Sequence, residues 1–185
     1  MAEQPWQGPL YSLSPEGARE ARVEGSEGTL SRTEDGIEFS IETSGLLPGD
    51  GYTVWIMAFN NPEACQDPNA PPGFRCGMTD MQNPDAGFSL MYGGAGSFAD
   101  SESVTFRGGK AKGDRSGVEF DGLGLTNPRG AEVHLRIRDH GPAQPGLEED
   151  QIGTIGGGCT DESTPPGGSG ARGTYHCRDV QATGM

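Results

Sequence analysis

Residues 131–141 read AEVHLRIRDHG. Ala131, Val133, Leu135 and Ile137 alternate with Glu132, His134, Arg136 and Arg138. A period of two belongs to a β-strand, here with one apolar and one charged face. His140 continues the charged parity, and a Gly-Pro break follows it. Two of the three histidines of the chain therefore share a face with three further charged side chains. Glu132, His134, Arg136, Arg138 and His140 together are the candidate ligand-binding surface.

The same period recurs upstream. In IEFSIET, residues 37–43, Ile37, Phe39 and Ile41 turn inward while Glu38, Ser40 and Glu42 turn outward. The stretch YTVWIMAF, residues 52–59, is apolar on both parities, which predicts a central strand covered on both sides. Shorter strands are expected at 18–24 and 29–33 as a first pair, then at 88–92, 103–107, 118–121 and 151–155, with a last one at 175–182. Gly 32 and Pro 14 make up about a quarter of the 185 residues, a composition that disfavours helices and suits turns. The predicted fold is all-β: an antiparallel Greek-key β-sandwich, with a β-barrel as the alternative, carrying long disulfide-tied loops. Residues 1–15, polar and proline-containing, are expected to be an N-terminal arm, and 16–185 a single sandwich domain.

Asp and Glu number 27 against 13 Lys and Arg, a net charge of −14. That balance argues against nucleic acid, whose phosphates must be met by basic groups, and favours solubility. The densest basic cluster, Arg107, Lys110, Lys112 and Arg115, lies in a glycine-rich stretch without interleaved aromatics and reads as a solvated hairpin tip. No apolar run approaches the length of a membrane span. Residues 1–7 have neither the basic start nor the apolar core of a signal peptide, so the expectation is a mature chain carrying an added Met1.

The four cysteines fall as two local pairs across Gly/Pro-rich segments. Cys65–Cys76 and Cys159–Cys177 form the simplest of the three possible connectivities. A zinc site is the competing use, but no CxxC or CxxH spacing is present. Disulfides place the protein in an oxidising compartment, secreted or periplasmic.

Three resemblances sharpen this picture. GLLPGDGYTVWIMAFN, residues 45–60, resembles the fibronectin type III pattern G-L-x-P-G-x-x-Y-x-V-x-x-x-A-x-N, although here most of the chain follows the motif. The resemblance implies a Greek-key sandwich in which Tyr52 packs where the chain crosses between sheets. HGPAQPG, residues 140–146, is similar to the chordin-type (CHRD) domain, whose H-x-H strand precedes G-P-A and a glycine; the earlier histidine of that motif is missing here. The series FNNPEAC, GLTNPRGAEVHLRIRDHGPAQPG and CRDVQ is similar to an uncharacterised type of small secreted bacterial all-β domain. It implies export and an all-β fold, and no chemistry.

A metal site would draw on His134, His140 and His176. Six strand residues between His134 and His140 span roughly 20 Å, whereas one ion needs each nitrogen within about 2.1 Å. The metal pair is therefore His134 with His176, for copper or zinc, if strands 131–139 and 174–182 are neighbours. Otherwise His134 pairs with Glu132 or a cross-strand acid, and His140 caps a turn. Arg136 and Arg138 are suited to clamping a carboxylate, sulfate or acidic sugar, or else they pair with Glu38, Glu42 or Glu119. Calcium would draw on residues 80–85 or 148–150, without D-x-D-x-D-G spacing. There is no G-x-S-x-G elbow. The first expectation is a secreted, non-enzymatic binding or structural module with no cofactor, whose partner is a small anion, glycan or protein. The alternative is a copper or zinc protein using His134 and His176.

Overall fold

In the computed structural model, which describes residues 4–185, the two strongest patterns pair with each other. Among the described residues ten strands form: β1 (Trp6–Gly8), β2 (Tyr11–Leu13), β3 (Arg19–Arg22), β4 (Glu27–Arg32), β5 (Gly36–Thr43), β6 (Asp50–Phe59), β7 (Phe88–Phe98), β8 (Val104–Ala111), β9 (Glu132–Pro142) and β10 (Arg178–Gly184). They make two antiparallel sheets, β1-β4-β5-β8 and β3-β2-β10-β9-β6-β7. The ladders of the described residues do not close, so the arrangement is a sandwich and not the barrel kept as alternative. β8 returns to lie beside β5 after the β6–β7 hairpin in the other sheet, which gives the Greek-key crossing.

The apolar parities meet between the sheets. Leu30, Ile37, Phe39, Ile41 and Phe106 from one sheet pack on Val54, Ile56, Met91, Val133, Leu135 and Ile137 from the other. Every residue of β6 is buried, as its doubly apolar sequence requires. The glycines at 93 and 108 have a packing reason: a Cβ at either would lie 2.9 Å from the Phe39 ring, closer than van der Waals contact allows. Among the described residues no helix is long and apolar enough to cross a membrane.

Tyr52 stands where the chain passes from β5 in one sheet to β6 in the other, and its hydroxyl accepts the Leu47 N–H at 2.9 Å. This is the corner geometry expected of it. Tyr52→Phe leaves the Leu47 N–H without that acceptor and is expected to cost about 1 kcal/mol; an unchanged melting temperature would contradict the corner's contribution.

Four expectations need correction. The predicted arm at 1–15 contributes β1 and β2, one to each sheet, because Trp6 and Leu10 have apolar partners to cover; residues 1–3 lie outside the described residues. The strands near 18–24 and 29–33 are not a pair: β3 joins β2 and β4 joins β5, in different sheets. Residues 118–121 make one isolated bridge at Val118, since Phe120 and Asp121 both take φ 54°, a left-handed conformation that breaks a ladder. Residues 151–155 are not a strand but follow a single helical turn, α1 (Glu148–Gln151). In addition, Lys110 is not on a solvated tip. It lies buried in β8, with its ammonium 2.9 Å from Asp114.

Candidate functional site

The polar face of β9 is largely covered, with only Arg136 of its five candidate side chains partly exposed. The loop at 60–87 covers its Glu132 end and the loop at 143–177 covers its His140 end. Each loop is closed by one of the expected disulfides, Cys65–Cys76 and Cys159–Cys177, with no cysteine left over among the described residues. Burying charged groups is costly unless each is bonded, and Glu132, Arg138 and His140 bond directly to these loops while His134 bonds to Glu132.

Glu132 is the latch of the first loop. Its carboxylate accepts the Arg75 N–H at 2.8 Å and the Cys76 N–H at 2.9 Å, and lies 2.8 Å from His134 Nε2. Burial pushes this carboxyl up, but the bonds from His134 and the two backbone N–H groups outweigh it and hold it below the usual carboxylate range. Burial pushes His134 down despite Glu132, so at neutral pH the imidazole is uncharged and donates Nε2–H to the carboxylate. Its ring lies 4.2 Å from Phe74 and 5.6 Å from Phe59, centroid to centroid.

His140 anchors the second loop and is fully buried. Nδ1 lies 2.8 Å from the Gly157 carbonyl and Nε2 lies 2.8 Å from Thr53 Oγ1. A carbonyl only accepts, so Nδ1 carries the proton and Nε2 accepts from the Thr53 hydroxyl. Thr53 in turn accepts Trp55 Nε1–H at 2.8 Å. Burial pushes His140 down to about 4. Arg138 belongs to the same assembly: Nε donates to Ile155 O at 2.9 Å, Nη2 to Ser163 O, and Nη1 lies 3.3 Å from Asp179.

The arginine partners expected from Glu38, Glu42 or Glu119 are thus supplied by Asp179, which faces Arg136 and Arg138 with one oxygen each at 3.3 Å. β10 lies beside β9 in a register that places Asp179 opposite Arg138, whereas Glu38 and Glu42 lie in the other sheet and Glu119 bonds Ser169.

The metal pair His134 and His176 does not form. β9 and β10 are neighbours as it requires, but Gly184 sits opposite His134 and Arg178 opposite Asp139. His176 is exposed and precedes β10 by two residues at the Asp139 end of β9, while His134 lies five strand residues, roughly 16 Å, from that end. Nor does His140 merely cap a turn. The group that does gather three possible metal donors within 4.8 Å of one another is His140 with Cys159 and Cys177, whose sulfurs are joined to each other. A second group, Cys65, Cys76 and Asp80, has its carboxylate oxygens taken by the N–H groups of Gln66, Asp67 and Gly77. Asp80 is one of the residues expected for calcium, and its oxygens hold the loop's own N–H groups.

Arg136 differs from its neighbours. Its Nε is buried and has no hydrogen-bond partner among the described residues; beyond Asp179 it makes only a contact of 3.7 Å from Nη2 to the Met78 sulfur. It forms the floor of a groove of about 340 Å³ together with His134 and Ala182. One wall is the β2–β3 hairpin with Leu13, Gly17 and Arg19; the other is the disulfide loop with Asn69, Pro71, Pro72 and Met78. Arg19 stacks over two rings, its guanidinium carbon 4.6 Å from the Phe74 centroid and 5.1 Å from that of Tyr11. No carboxylate of the described residues pairs with it. Burial, with Arg136 adding to it, holds the Arg19 guanidinium below its ordinary value. Glu16 lines the same groove as an exposed residue.

The sequence places Arg136 here but misses Arg19, Tyr11 and Phe74. The segment REAR at 19–22 is charged at three of four positions, and nothing local to it says that its partner is β2. The disulfide between Cys65 and Cys76 was the one signal that could have brought Phe74 to this face. No protein-family model, no curated protein and no solved structure matches the chain.

Proposed function

We propose that this is an exported, non-enzymatic binding module whose groove between the β2–β3 hairpin and the Cys65–Cys76 loop takes the anionic group of a small ligand, a carboxylate, a sulfate or an acidic sugar. The observation that carries this reading is the pair of guanidinium groups, Arg19 and Arg136, which face one concavity. Arg19 lacks an acid, and Arg136 keeps one buried Nε–H unbonded. A buried donor without an acceptor costs about 1–3 kcal/mol, and an oxyanion that turns the Arg136 guanidinium toward the groove would remove that cost. In a chain of net charge −14, a cation without an acid beside a second whose one acid, Asp179, is shared with Arg138 is out of keeping with the rest of the surface. Leu13, Met78 and the prolines would meet the apolar body of the ligand. Pairing of all four cysteines supports export.

Calorimetric titration with sulfate, citrate and galacturonate oligomers tests the reading. At least one is expected to bind stoichiometrically, more weakly as salt rises. Arg19→Ala and Arg136→Met are each expected to weaken it ten- to a hundredfold, since a hydrogen bond to a charged group is worth about 1.5–3 kcal/mol. Absence of binding by all three probes, or affinities unchanged in both variants, overturns the reading.

A further inference from the structure

We propose that reduction of the Cys159–Cys177 disulfide turns its surroundings into a tetrahedral site for zinc or cobalt(II), with His140 Nδ1, the two cysteine sulfurs and the Gly157 carbonyl oxygen as donors. The geometry is largely in place before any metal arrives. Nδ1 lies 3.4 Å from Cys159 Sγ and 3.8 Å from Cys177 Sγ. The Gly157 oxygen lies 2.8 Å from Nδ1 and 3.4 Å from Cys159 Sγ. A tetrahedral zinc with its usual bonds to nitrogen and sulfur holds those two atoms about 3.5 Å apart, and two sulfurs about 3.8 Å apart. The sulfurs must move out of bonding distance, and the Gly157 oxygen must draw back from Nδ1 by about half an ångström, since nitrogen and oxygen donors on one tetrahedral zinc lie about 3.3 Å apart. With Cα atoms 5.4 Å apart, side-chain rotation is enough.

The electron and proton accounts close with a dithiol as reductant. Two electrons and two protons pass from the dithiol, which becomes a disulfide, and the Cys159–Cys177 bond becomes two thiols. Metal binding then releases both thiol protons to solvent, because the ligand is the thiolate. Two thiolates cancel the charge of a divalent cation, so a neutral unit occupies a buried site. His140 must offer Nδ1 as a lone pair, which places its proton on Nε2. Thr53 Oγ1 is already 2.8 Å from that nitrogen, and a hydroxyl oxygen can accept from both Nε2–H and Trp55 Nε1–H. A ligand histidine oriented through its other nitrogen is the ordinary support of such sites. The bond from Nδ1 to the Gly157 carbonyl is lost, and the carbonyl gains the metal instead. The metal then does what the disulfide does: it ties the loop at 143–177 to β9 and β10.

The test uses the whole chain, reduced with dithiothreitol and desalted without air, and then titrated with cobalt(II). The expected result is one equivalent bound, with thiolate-to-cobalt charge-transfer absorption and the visible bands of a tetrahedral ion. The oxidised chain is expected to show neither. Zinc is expected to raise the melting temperature of the reduced chain only. The Cys65→Ala/Cys76→Ala double variant is expected to behave like the wild type, which excludes the other thiol pair. His140→Gln is expected to weaken cobalt at least tenfold. Should that variant not fold, cadmium NMR of the reduced wild type reads two sulfurs and one nitrogen directly. The proposal is overturned if the reduced chain gives no thiolate charge transfer, if cadmium reports no nitrogen donor, or if a folded His140→Gln binds cobalt as tightly as the wild type.

Discussion

Trp55→Ala is expected to lower the unfolding free energy by about 3–5 kcal/mol, the range for removing a large aromatic side chain from a packed site. Trp55 is 2% exposed although it points away from the space between the sheets. Its ring stands 5.8 Å from Tyr92, its strand position faces Arg136 across β9, and its Nε1–H holds the Thr53 hydroxyl toward His140. Truncation therefore opens a cavity under the second loop and removes one donor from a buried chain of hydrogen bonds. Chemical denaturation checks it: a loss below about 1 kcal/mol, the size of an exposed substitution, would mean that the face covered by the loops is not a second core.

That second core marks the boundary of what the sequence reveals. The alternation at 131–140 correctly assigns Val133, Leu135 and Ile137 to the core between the sheets and the charged parity to the opposite face. The doubly apolar 52–59 likewise announces that something covers Trp55, Met57 and Phe59. What covers them is the pair of disulfide loops, and their docking rests on contacts far apart in sequence, such as Cys76 N–H with Glu132 and Ser163 O with Arg138. Parity assigns a side chain to a face but cannot say whether loop, solvent or ligand meets it. Hence Glu132, Arg138 and His140 read as a surface and turn out to be anchors.

The candidate site was legible to a similar depth. Arg136 was found through its strand. Arg19 was not, because its relevance depends on β3 pairing with β2 across a tight turn, while the neighbouring segment 27–32 is an equally plausible partner by pattern. The metal pair shows how register decides: β9 and β10 are adjacent, yet the antiparallel alignment puts His134 beside Gly184 and leaves His176 past the opposite end. Conversely His140 and the Cys159–Cys177 bridge come together because the Gly-Pro step that ends β9 leads into the loop that the bridge closes.

Acidification is expected to remove about 3 kcal/mol of stability from the disulfide-bonded protein through His140 alone. In the unfolded chain this histidine titrates near its ordinary value of 6.5; in the folded protein burial holds it down to about 4. Between those values the unfolded state takes up a proton that the folded state refuses, so ν of the unfolded state exceeds that of the folded state and stability falls as pH falls. A shift of this size, at 1.36 kcal/mol per unit, corresponds to about 3 kcal/mol once pH reaches the lower value. The side chain is fully buried, so solvent screening does not reduce it. The charges that face it are Arg138, which favours the neutral ring, and Asp179, which opposes that. His134, also held down by burial, adds loss of the same sign. Glu132 adds more below its unfolded value, because the unfolded chain protonates this carboxyl before the folded protein does. Asp50 and Asp139, both raised by burial, work the other way and gain protons in the folded state first. The contribution of His140 is isolated by His140→Gln, whose amide can still donate toward Gly157 and accept from Thr53 but does not titrate. Urea titrations of both proteins from pH 7 to pH 4 are expected to show the wild type losing about 3 kcal/mol relative to the variant. Parallel curves across that range would show that the buried ring takes a proton without unfolding.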